Sequence, residues 1–403
     1  MKNEAMQTAI SDLVDLLRIP GIPGEEGQVA EHLTKVMLDL GVPADAILRD
    51  RAFEGSEYGG QCGNLVVRFP AVGGHGGPIR LYSAHMDTVP LAKGAKPRLI
   101  EPQDETGQGG RIVNDNPGTA LGGDDRAGCA VLLQIARALA GRLARQPRPP
   151  VVLVFTVQEE VGLVGARQLD VTLLGLDRPV LSVNLDGGDV EDLVTRVTGT
   201  LRFEIDVEGV ASHAGTDPGE GVSAAVAAAR AIASLAEQGW HGPIDREGGR
   251  GSSNVGTMHG GTGTNVVMDR LVIRAEARSH DAAFRHRIRE AYEQAFREAA
   301  ARTTNRQGRA AKVNFRPGPC YEAFAVPDEA PVVQALMRAG RRCGLSVRTI
   351  SSDGGMDANW YHAHGIPTVV LGSGLRKAHT PDEWVDLKQY WDACRVLLEL
   401  LKD

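Results

Sequence analysis

Apolar runs of strand length alternate with stretches of helical period in the first half of this 403-residue chain, and this alternation restricts the possible folds more than any other feature. Strands are predicted at 79–84, 151–157 and 180–185, and a helix at about 126–139. Strands that alternate with helices are typical of an α/β sheet whose faces are covered by helices. We therefore predict an α/β domain.

The pattern changes after residue 197. Alternating apolar and polar residues predict antiparallel strands at 198–210 and 269–279, and helical periodicity predicts helices at 222–238 and 280–302. The α/β pattern returns after about residue 316. Because the chain is also longer than a single core usually supports, we predict two domains: one α/β domain from 1–197 and 317–403, and an inserted α+β domain from 198–316.

The charge balance limits the classes of partner. Lys and Arg number 44 against 51 Asp and Glu, a formal charge of −7, which argues against nucleic acid or an anionic membrane. The amino-terminal stretch mixes charges into a helical repeat and lacks the apolar core of a signal peptide or membrane anchor. We expect a cytosolic protein with a small-molecule substrate, and the five widely spaced cysteines predict neither disulfides nor a thiolate metal site.

Candidate metal ligands first occur at the end of the strand 79–84 and before the helix 126–139. His85 and Asp87 lie two residues apart in extended chain and share a face, so the carboxylate could orient the imidazole as a ligand. A histidine in a loop is, however, commonly just solvated. Asp124 lies in GGDDRAG, where an aspartate commonly caps the following helix. A cap explains one aspartate and leaves its neighbour unexplained.

Further acids and a histidine follow the later strands. Glu159 and Glu160 come at the carboxyl end of the strand 151–157, where open α/β sheets place their sites. Neighbouring side chains there point in different directions, so one could bind a metal while the other faces the substrate. The ordinary alternative is a solvated acidic loop. Asp186 follows the strand 180–185, and His379 follows another strand near the carboxyl terminus.

Taken together, five such junctions would be an unusual coincidence. Three carboxylates and two imidazoles without sulfur suit zinc, cobalt or manganese. If one aspartate bridges two divalent ions, three carboxylates and one hydroxide balance their four charges. The sequence therefore predicts a two-metal site made from His85, Asp124, Glu160, Asp186 and His379.

The motifs that carry these residues occur in a fixed order along nearly the whole chain: HMDTVP, GGDDRAG, EEVGLVGA, LDGG, SHAG, GTGTNVV and HTPDEW. In order and spacing they resemble the zinc exopeptidases related to peptidase T, in the group that includes aminoacylase and glutamate carboxypeptidase. The resemblance implies a zinc-exopeptidase-like catalytic domain, with a mixed sheet flanked by helices. It also implies that the inserted domain is a ferredoxin-like lid through which two subunits form a homodimer.

The resemblance implies a role for each ligand. Asp124 would bridge two zinc ions, and the peptide bond that follows it would be cis. His85 and Asp186 would complete the coordination of one ion, and Glu160 and His379 would complete that of the other.

It also implies the catalytic groups. Glu159 would be the general base, and Asp87 would orient its metal-ligand neighbours. In the lid, His213 would stabilise the oxyanion, while Asn265 and Arg278 would lie near polar groups of the substrate. For these three the ordinary alternatives are a turn histidine, a turn amide and an edge-strand arginine.

Two positions depart from the family pattern, and one bears on the substrate. Arg126 replaces a common lysine and keeps its charge, whereas Met356 replaces a small polar residue and could reshape a pocket. Aspartate at position 186 resembles the dipeptidases and aminotripeptidases rather than the deacylases and carboxypeptidases, which usually have glutamate. We expect an aminopeptidase of short peptides. The alternatives are an N-acyl amino acid deacylase or carboxypeptidase of the same group, and a non-catalytic metal-binding scaffold.

Overall fold

The computed structural model describes residues 2–74, 76–104 and 108–402, and the chain divides into two compact units. The first unit contains Met1–Arg196, Ala325–Ser351 and Met356–Asp403. The second contains Val197–Phe324 and Ser352–Gly355, so the predicted inserted segment 198–316 lies within it. Over the described ranges, no helix combines the length and the apolar character that a membrane span requires.

The helices of the described residues are, in chain order, α1 (Lys2–Arg18), α2 (Gly27–Asp39), α3 (Gly123–Ala140), α4 (Val164–Arg167), α5 (Ala224–Glu237), α6 (Ala282–Ala301), α7 (Pro331–Arg342), α8 (Ala358–Ala363) and α9 (Leu387–Leu400). The strands are β1 (Ile47–Arg49), β2 (Leu65–Phe69), β3 (Ile79–His85), β4 (Pro97–Ile100), β5 (Arg111–Asn114), β6 (Val151–Thr156), β7 (Val180–Leu185), β8 (Asp192–Val197), β9 (Gly199–Glu208), β10 (Gly242–Arg246), β11 (Gly249–Gly260), β12 (Arg270–Ser279), β13 (Lys312–Tyr321), β14 (Phe324–Ala325), β15 (Arg348–Ser352), β16 (Thr368–Leu371), β17 (Leu375–Arg376) and β18 (Trp384–Asp386).

The main sheet has the order β1-β2-β6-β3-β7-β16-β8-β14, and β15 pairs with β8. Four neighbouring strands in its centre, β6, β3, β7 and β16, are parallel to one another, whereas β1 and β2 pair antiparallel. The sheet is therefore mixed, as predicted. Because the central strands are parallel, their carboxyl ends meet at one edge, and this edge is where the predicted acids and histidines follow the strands.

Helices cover both faces of the central strands. Ile79 and Leu81 of β3 pack in a core with Tyr361 of α8. Arg80, which lies between them, and Tyr82, which follows, point the other way: Arg80 Nε donates to the carbonyl of Leu400 in α9 at 3.0 Å, and the Tyr82 hydroxyl donates to the carbonyl of Leu397 at 3.3 Å. Burial on both faces explains why β3 and β6 read as continuous buried runs rather than as alternating strands.

A second, four-stranded antiparallel sheet in the first unit has the order β17-β18-β5-β4. β17 and β18 pair with each other, and β18 pairs with β5 through Val385 and Ile112. The segment that joins β17 to β18 contains His379. This pairing holds both ends of the histidine-bearing segment.

The second unit contains a five-stranded antiparallel sheet with the order β10-β11-β12-β9-β13. Alternate residues of β9, including Phe203 and Ile205, form a core with Ala227 of α5 and with Phe284 and Ile288 of α6. Period-2 strands covered by helices on one face form the α+β arrangement that the sequence pattern predicts.

Candidate metal centre

The predicted metal ligands form two overlapping groups at the carboxyl edge of the main sheet. Ligand atoms of His85, Asp124 and Asp186 lie within 4.8 Å of one another. Those of Asp124, Glu160 and His379 lie equally close. The structure thus brings all five predicted ligands together, with Asp124 in both groups.

The two oxygen atoms of Asp124 point to different imidazoles. Oδ1 lies 3.0 Å from His85 Nε2, and Oδ2 lies 3.2 Å from His379 Nε2. His379 Nε2 also lies 2.9 Å from Glu160 Oε1. A carboxylate with one oxygen directed to each of two ligand groups fits a bridge between two cations, so this donor set suits a two-metal site.

These contacts change the pKa values of the groups. Burial alone would raise the pKa of Asp124, but hydrogen bonds from His379 and His85 hold it well below its usual range. Hydrogen bonds to Asp124 and Glu160 raise the pKa of His379 to about 10, against the effect of burial. Burial would lower the pKa of His85, but its contacts with Asp124 and Asp87 raise it well above the usual value.

Two further carboxylates of the cluster, those of Asp186 and Glu159, have raised pKa values. Burial, with a further contribution from Asp124, raises the pKa of Asp186 well above its usual value. Burial likewise raises the pKa of Glu159, although His85 opposes the shift. Buried carboxylates that lie close together favour protonation unless a cation compensates them. The electrostatics of the cluster therefore also suit divalent ions.

Asp87 makes two kinds of contact. The Nδ1 atom of His85 donates to the backbone carbonyl of Asp87 at 3.1 Å, which leaves Nε2 as the nitrogen that faces the site. The Asp87 carboxylate accepts hydrogen bonds from the backbone amides of Glu159 at 3.0 Å and Glu160 at 3.1 Å. Asp87 therefore joins the predicted histidine ligand to the turn that carries the paired glutamates.

A second carboxylate, from Glu26, holds the same turn. Its Oε1 atom accepts from the backbone amide of Gln158 at 3.0 Å, next to the amides held by Asp87. Gln158 has a φ of 54°, in the left-handed region that a non-glycine residue rarely adopts. Three consecutive amides, those of Gln158, Glu159 and Glu160, are therefore bound by carboxylates that reach the turn from other parts of the chain.

The two adjacent aspartates at the start of α3 have different functions in the fold. The peptide bond between Asp124 and Asp125 is cis, as the family resemblance implies. The Asp125 Oδ1 atom accepts from the amide of Gly128 at 2.9 Å and caps the helix, while Asp124 faces the histidines. The cap is therefore formed by Asp125, while Asp124 belongs to both candidate ligand groups.

Glu383 holds the main chain before Asp124. Its Oε2 atom accepts from the amide of Gly122 at 2.8 Å, and its Oε1 atom accepts from the amide of Asp124 at 3.0 Å. Burial raises the pKa of Glu383 to about 7, although these amide contacts oppose the shift. Sequence reasoning did not single out Glu383, although it lies in the HTPDEW motif, and Glu26 was missed as well.

The three remaining predicted residues, His213, Asn265 and Arg278, belong to the second unit. The Nδ1 atom of His213 accepts from the amides of Gly215 and Thr216, both at 3.1 Å. This assignment leaves the proton of the neutral ring on Nε2. The backbone carbonyl of Asn265 accepts from Ala214 at 2.8 Å, so the asparagine lies beside the histidine turn.

Arg278 is held within the same unit by one carboxylate. Its Nε and Nη2 atoms donate to the two carboxylate oxygens of Glu276 at 2.8 and 3.2 Å, and Nη1 donates to the carbonyl of Asp353 at 3.3 Å. The side chain is therefore fixed in orientation.

The two departures from the family pattern differ in environment. Arg126 is buried and donates to the carbonyls of Leu16 at 3.0 Å and Gly21 at 3.3 Å, so its guanidinium ties α3 to the amino-terminal segment. Met356 lies in the turn before α8, and its amide donates to Asn359. The effect of Met356 on a pocket stays a prediction.

The family of the chain follows from comparison with known proteins. Residues 81–403 match the family described as Peptidase family M20/M25/M40. The chain belongs to this peptidase family. It is therefore a hydrolase of the peptidase class.

Individual relatives agree with the family match. A tripeptidase structure from Staphylococcus aureus is 29% identical with a TM-score of 0.81, and the match covers 98% of each chain. An aminopeptidase PepT structure from Bacillus cereus is 30% identical with a TM-score of 0.78, again over 98% of each chain. The uncharacterized protein YqjE of Bacillus subtilis is 27% identical over 98% of this chain and 97% of its own. The predicted resemblance to peptidase T and the predicted mixed α/β fold are confirmed.

Proposed function

We propose that this protein is a zinc-dependent aminopeptidase that cleaves short peptides, either tripeptides or dipeptides. The observation that carries the proposal is the carboxylate of Asp124, which has one oxygen beside His85 and the other beside His379. Two bound ions would share Asp124, with His85 and Asp186 on one side and Glu160 and His379 on the other. When bound, zinc, or cobalt or manganese in its place, supplies Lewis-acid polarisation of the scissile carbonyl and a nucleophilic water at neutral pH.

Glu159 is the proposed general base. It is buried beside the ligands, but it belongs to neither of the two ligand groups. Asp87 holds its amide together with that of Glu160, which fixes the main chain from which the two carboxylates project. Glu159 takes a proton from the attacking water and then gives that proton to the departing amine, which breaks the C–N bond and releases an amine and a carboxylic acid.

His213 is the proposed oxyanion donor. Because Nδ1 accepts from two amides, Nε2–H is free to donate to the oxygen that gains negative charge in the transition state. Asn265 lies in a turn whose backbone carbonyl accepts from Ala214, beside His213. Asn265 and Arg278 would lie near polar groups of the substrate. We further propose that the second unit is a lid through which two copies form a homodimer.

Two features support a short-peptide aminopeptidase. Residue 186 is aspartate, which resembles the dipeptidases and aminotripeptidases of the group. Two solved structures that match almost the whole chain carry the names tripeptidase and aminopeptidase PepT. Deacylases and carboxypeptidases of the group are the alternative.

A substrate screen tests this proposal. The purified protein, supplied with zinc, cobalt or manganese, is offered dipeptides, tripeptides, amino-terminally blocked tripeptides, and N-acetyl and N-succinyl amino acids. We expect release of the first residue from free peptides, loss of that activity with a chelator, and recovery on adding metal. The Glu159→Gln variant, prepared identically, controls for contaminating peptidases.

Two results would contradict the proposal. Cleavage of N-acyl amino acids without cleavage of free peptides would indicate a deacylase. Two bound ions without hydrolysis of any amide would indicate a metal-binding scaffold.

A further inference from the structure

Glu383 lies in a segment that already supplies a proposed metal ligand. The segment between β17 and β18 carries His379, and Glu383 follows four residues later, next to the first residue of β18. Glu383 is buried, with 2% of the residue exposed, and it belongs to neither candidate ligand group. The known elements of the site therefore leave this buried carboxylate without a chemical role.

The carboxylate binds the main chain on both sides of Gly123. One oxygen accepts from the amide of Gly122 at 2.8 Å, and the other accepts from the amide of Asp124 at 3.0 Å. Both oxygens are thus used, and both bonds are to the residues that lead into the proposed bridging ligand. Hydrogen bonds to an ionised acceptor are stronger than those between neutral groups.

The turn has little space to move relative to this carboxylate. A Cβ atom added to Gly123 would lie 2.8 Å from Val385 Cγ2 and 3.3 Å from Glu383 Oε1. Gly122, with a φ of 79°, has the left-handed conformation that favours glycine. The turn therefore lies directly against β18 and Glu383, and a change in the carboxylate would be transmitted to the main chain of Asp124.

We propose that Glu383 is a positioning residue for both metal sites at once. It fixes the main chain of Asp124, which belongs to both ligand groups, to the segment that delivers His379. This inference rests on the proposed two-metal site. Loss of a residue that supports a ligand of one ion would weaken one metal site. Loss of a residue that supports a bridging ligand would weaken both.

A purely structural role would have a different signature. An acidic side chain near the first turn of α3 would stabilise the helix by its charge, and its loss would lower the melting temperature without changing metal affinity. Groups that support metal ligands typically change affinity by about 10–100-fold when mutated. Metal affinity therefore distinguishes the two roles.

The first test uses Glu383→Gln, which keeps the size of the side chain. An amide has one acceptor oxygen, so its NH2 group must face one of the two backbone N–H donors. The matched control is Asp382→Asn, because Asp382 is the exposed neighbour whose carboxylate pairs only with Lys377 at 3.3 Å among the ion pairs described. Zinc stoichiometry is measured by elemental analysis after dialysis, and affinity by competition with a chromophoric chelator.

We expect Glu383→Gln to weaken both zinc sites by about 10–100-fold, and Asp382→Asn to keep two ions with unchanged affinity. Unchanged affinity of Glu383→Gln for both ions would overturn the inference, and so would weakening of one site alone. If the wild type itself binds fewer than two ions, the proposed function fails first, which separates the two failures.

A second variant covers the case in which Glu383→Gln does not fold, as judged by circular dichroism. Glu383→Asp keeps the charge but withdraws the carboxylate by one methylene group, so it weakens the same two hydrogen bonds. A folded Glu383→Asp protein with weakened affinity at both sites supports the positioning role. Wild-type affinity at both sites in this variant overturns it.

Discussion

Replacing each of the paired glutamates with glutamine separates catalysis from metal binding. Glu159 and Glu160 are sequence neighbours, but only Glu160 belongs to a ligand group, with Oε1 2.9 Å from His379 Nε2. Both amides are held by the Asp87 carboxylate, so the turn is expected to persist in either variant. The two substitutions therefore remove one carboxylate charge each from nearly the same place.

The expected magnitudes follow from these positions. Glu159→Gln removes the proposed base, and general acid–base catalysis contributes about 10²–10⁴-fold, or roughly 3–5 kcal/mol of transition-state stabilisation. The variant should retain two ions per chain. Glu160→Gln removes one of the three residues in the group with Asp124 and His379, so it should lose the ion on that side and keep the ion beside His85 and Asp186.

The assay measures metal per chain by elemental analysis and kcat with a tripeptide, on both variants prepared in parallel. A Glu159→Gln protein with two ions and a kcat lower by at least about 10² agrees with the proposed base. Equal metal loss in both variants would refute the division of roles. Wild-type turnover by Glu159→Gln would refute the base itself.

Glu26, His379 and His213 can each be tested separately. Glu26→Ala should lower kcat about tenfold without loss of metal. Glu26→Gln should restore kcat, because its side-chain carbonyl still accepts from the amide of Gln158; loss of metal from the alanine variant would contradict this role of Glu26. The melting temperature of chelator-treated protein should fall as pH rises from about 6.5 to about 10. The carboxylate partners of His379 raise its pKa to about 10, so the stabilisation by its protonated form is lost over that range. Bound zinc should remove this pH dependence. If His213 acts in the partner subunit, mixing inactive Glu159→Ala and His213→Ala proteins should leave about a quarter of sites with both groups intact, and dimers that stay inactive would exclude it.

Local sequence patterns predicted the parts of the site that depend on single strands. The runs 79–84, 151–157 and 180–185 are buried strands in the structure, and each leads directly into a predicted acid or histidine. Because parallel strands place their carboxyl ends at one edge, the approximate meeting of these side chains could be expected. The proposal that Asp124 is the bridging residue came from the family resemblance.

The supporting carboxylates could not be found in this way. Glu383 contacts the amide of Asp124 across 259 residues of sequence, and Glu26 contacts the amide of Gln158 across 132. Periodicity reports only on neighbours along the chain, so it carries no information on such pairs. Each acid also had an ordinary local explanation, since a loop acid is usually solvated.

The three supporting carboxylates, those of Asp87, Glu383 and Glu26, differ in how many of their oxygens accept hydrogen bonds. This difference predicts how strongly each replacement should affect the site. Asp87 and Glu383 each accept backbone amides on both oxygens. The Oε2 atom of Glu26 is buried without a hydrogen-bond partner among the described residues, so its burial is only partly compensated. Replacing Glu26 should therefore reduce kcat and metal affinity less than replacing Asp87 or Glu383. The turns that carry Asp124 and Glu160 are thus fixed mainly by carboxylates that use both oxygens, so groups other than the proposed ligands set the main-chain geometry of the site.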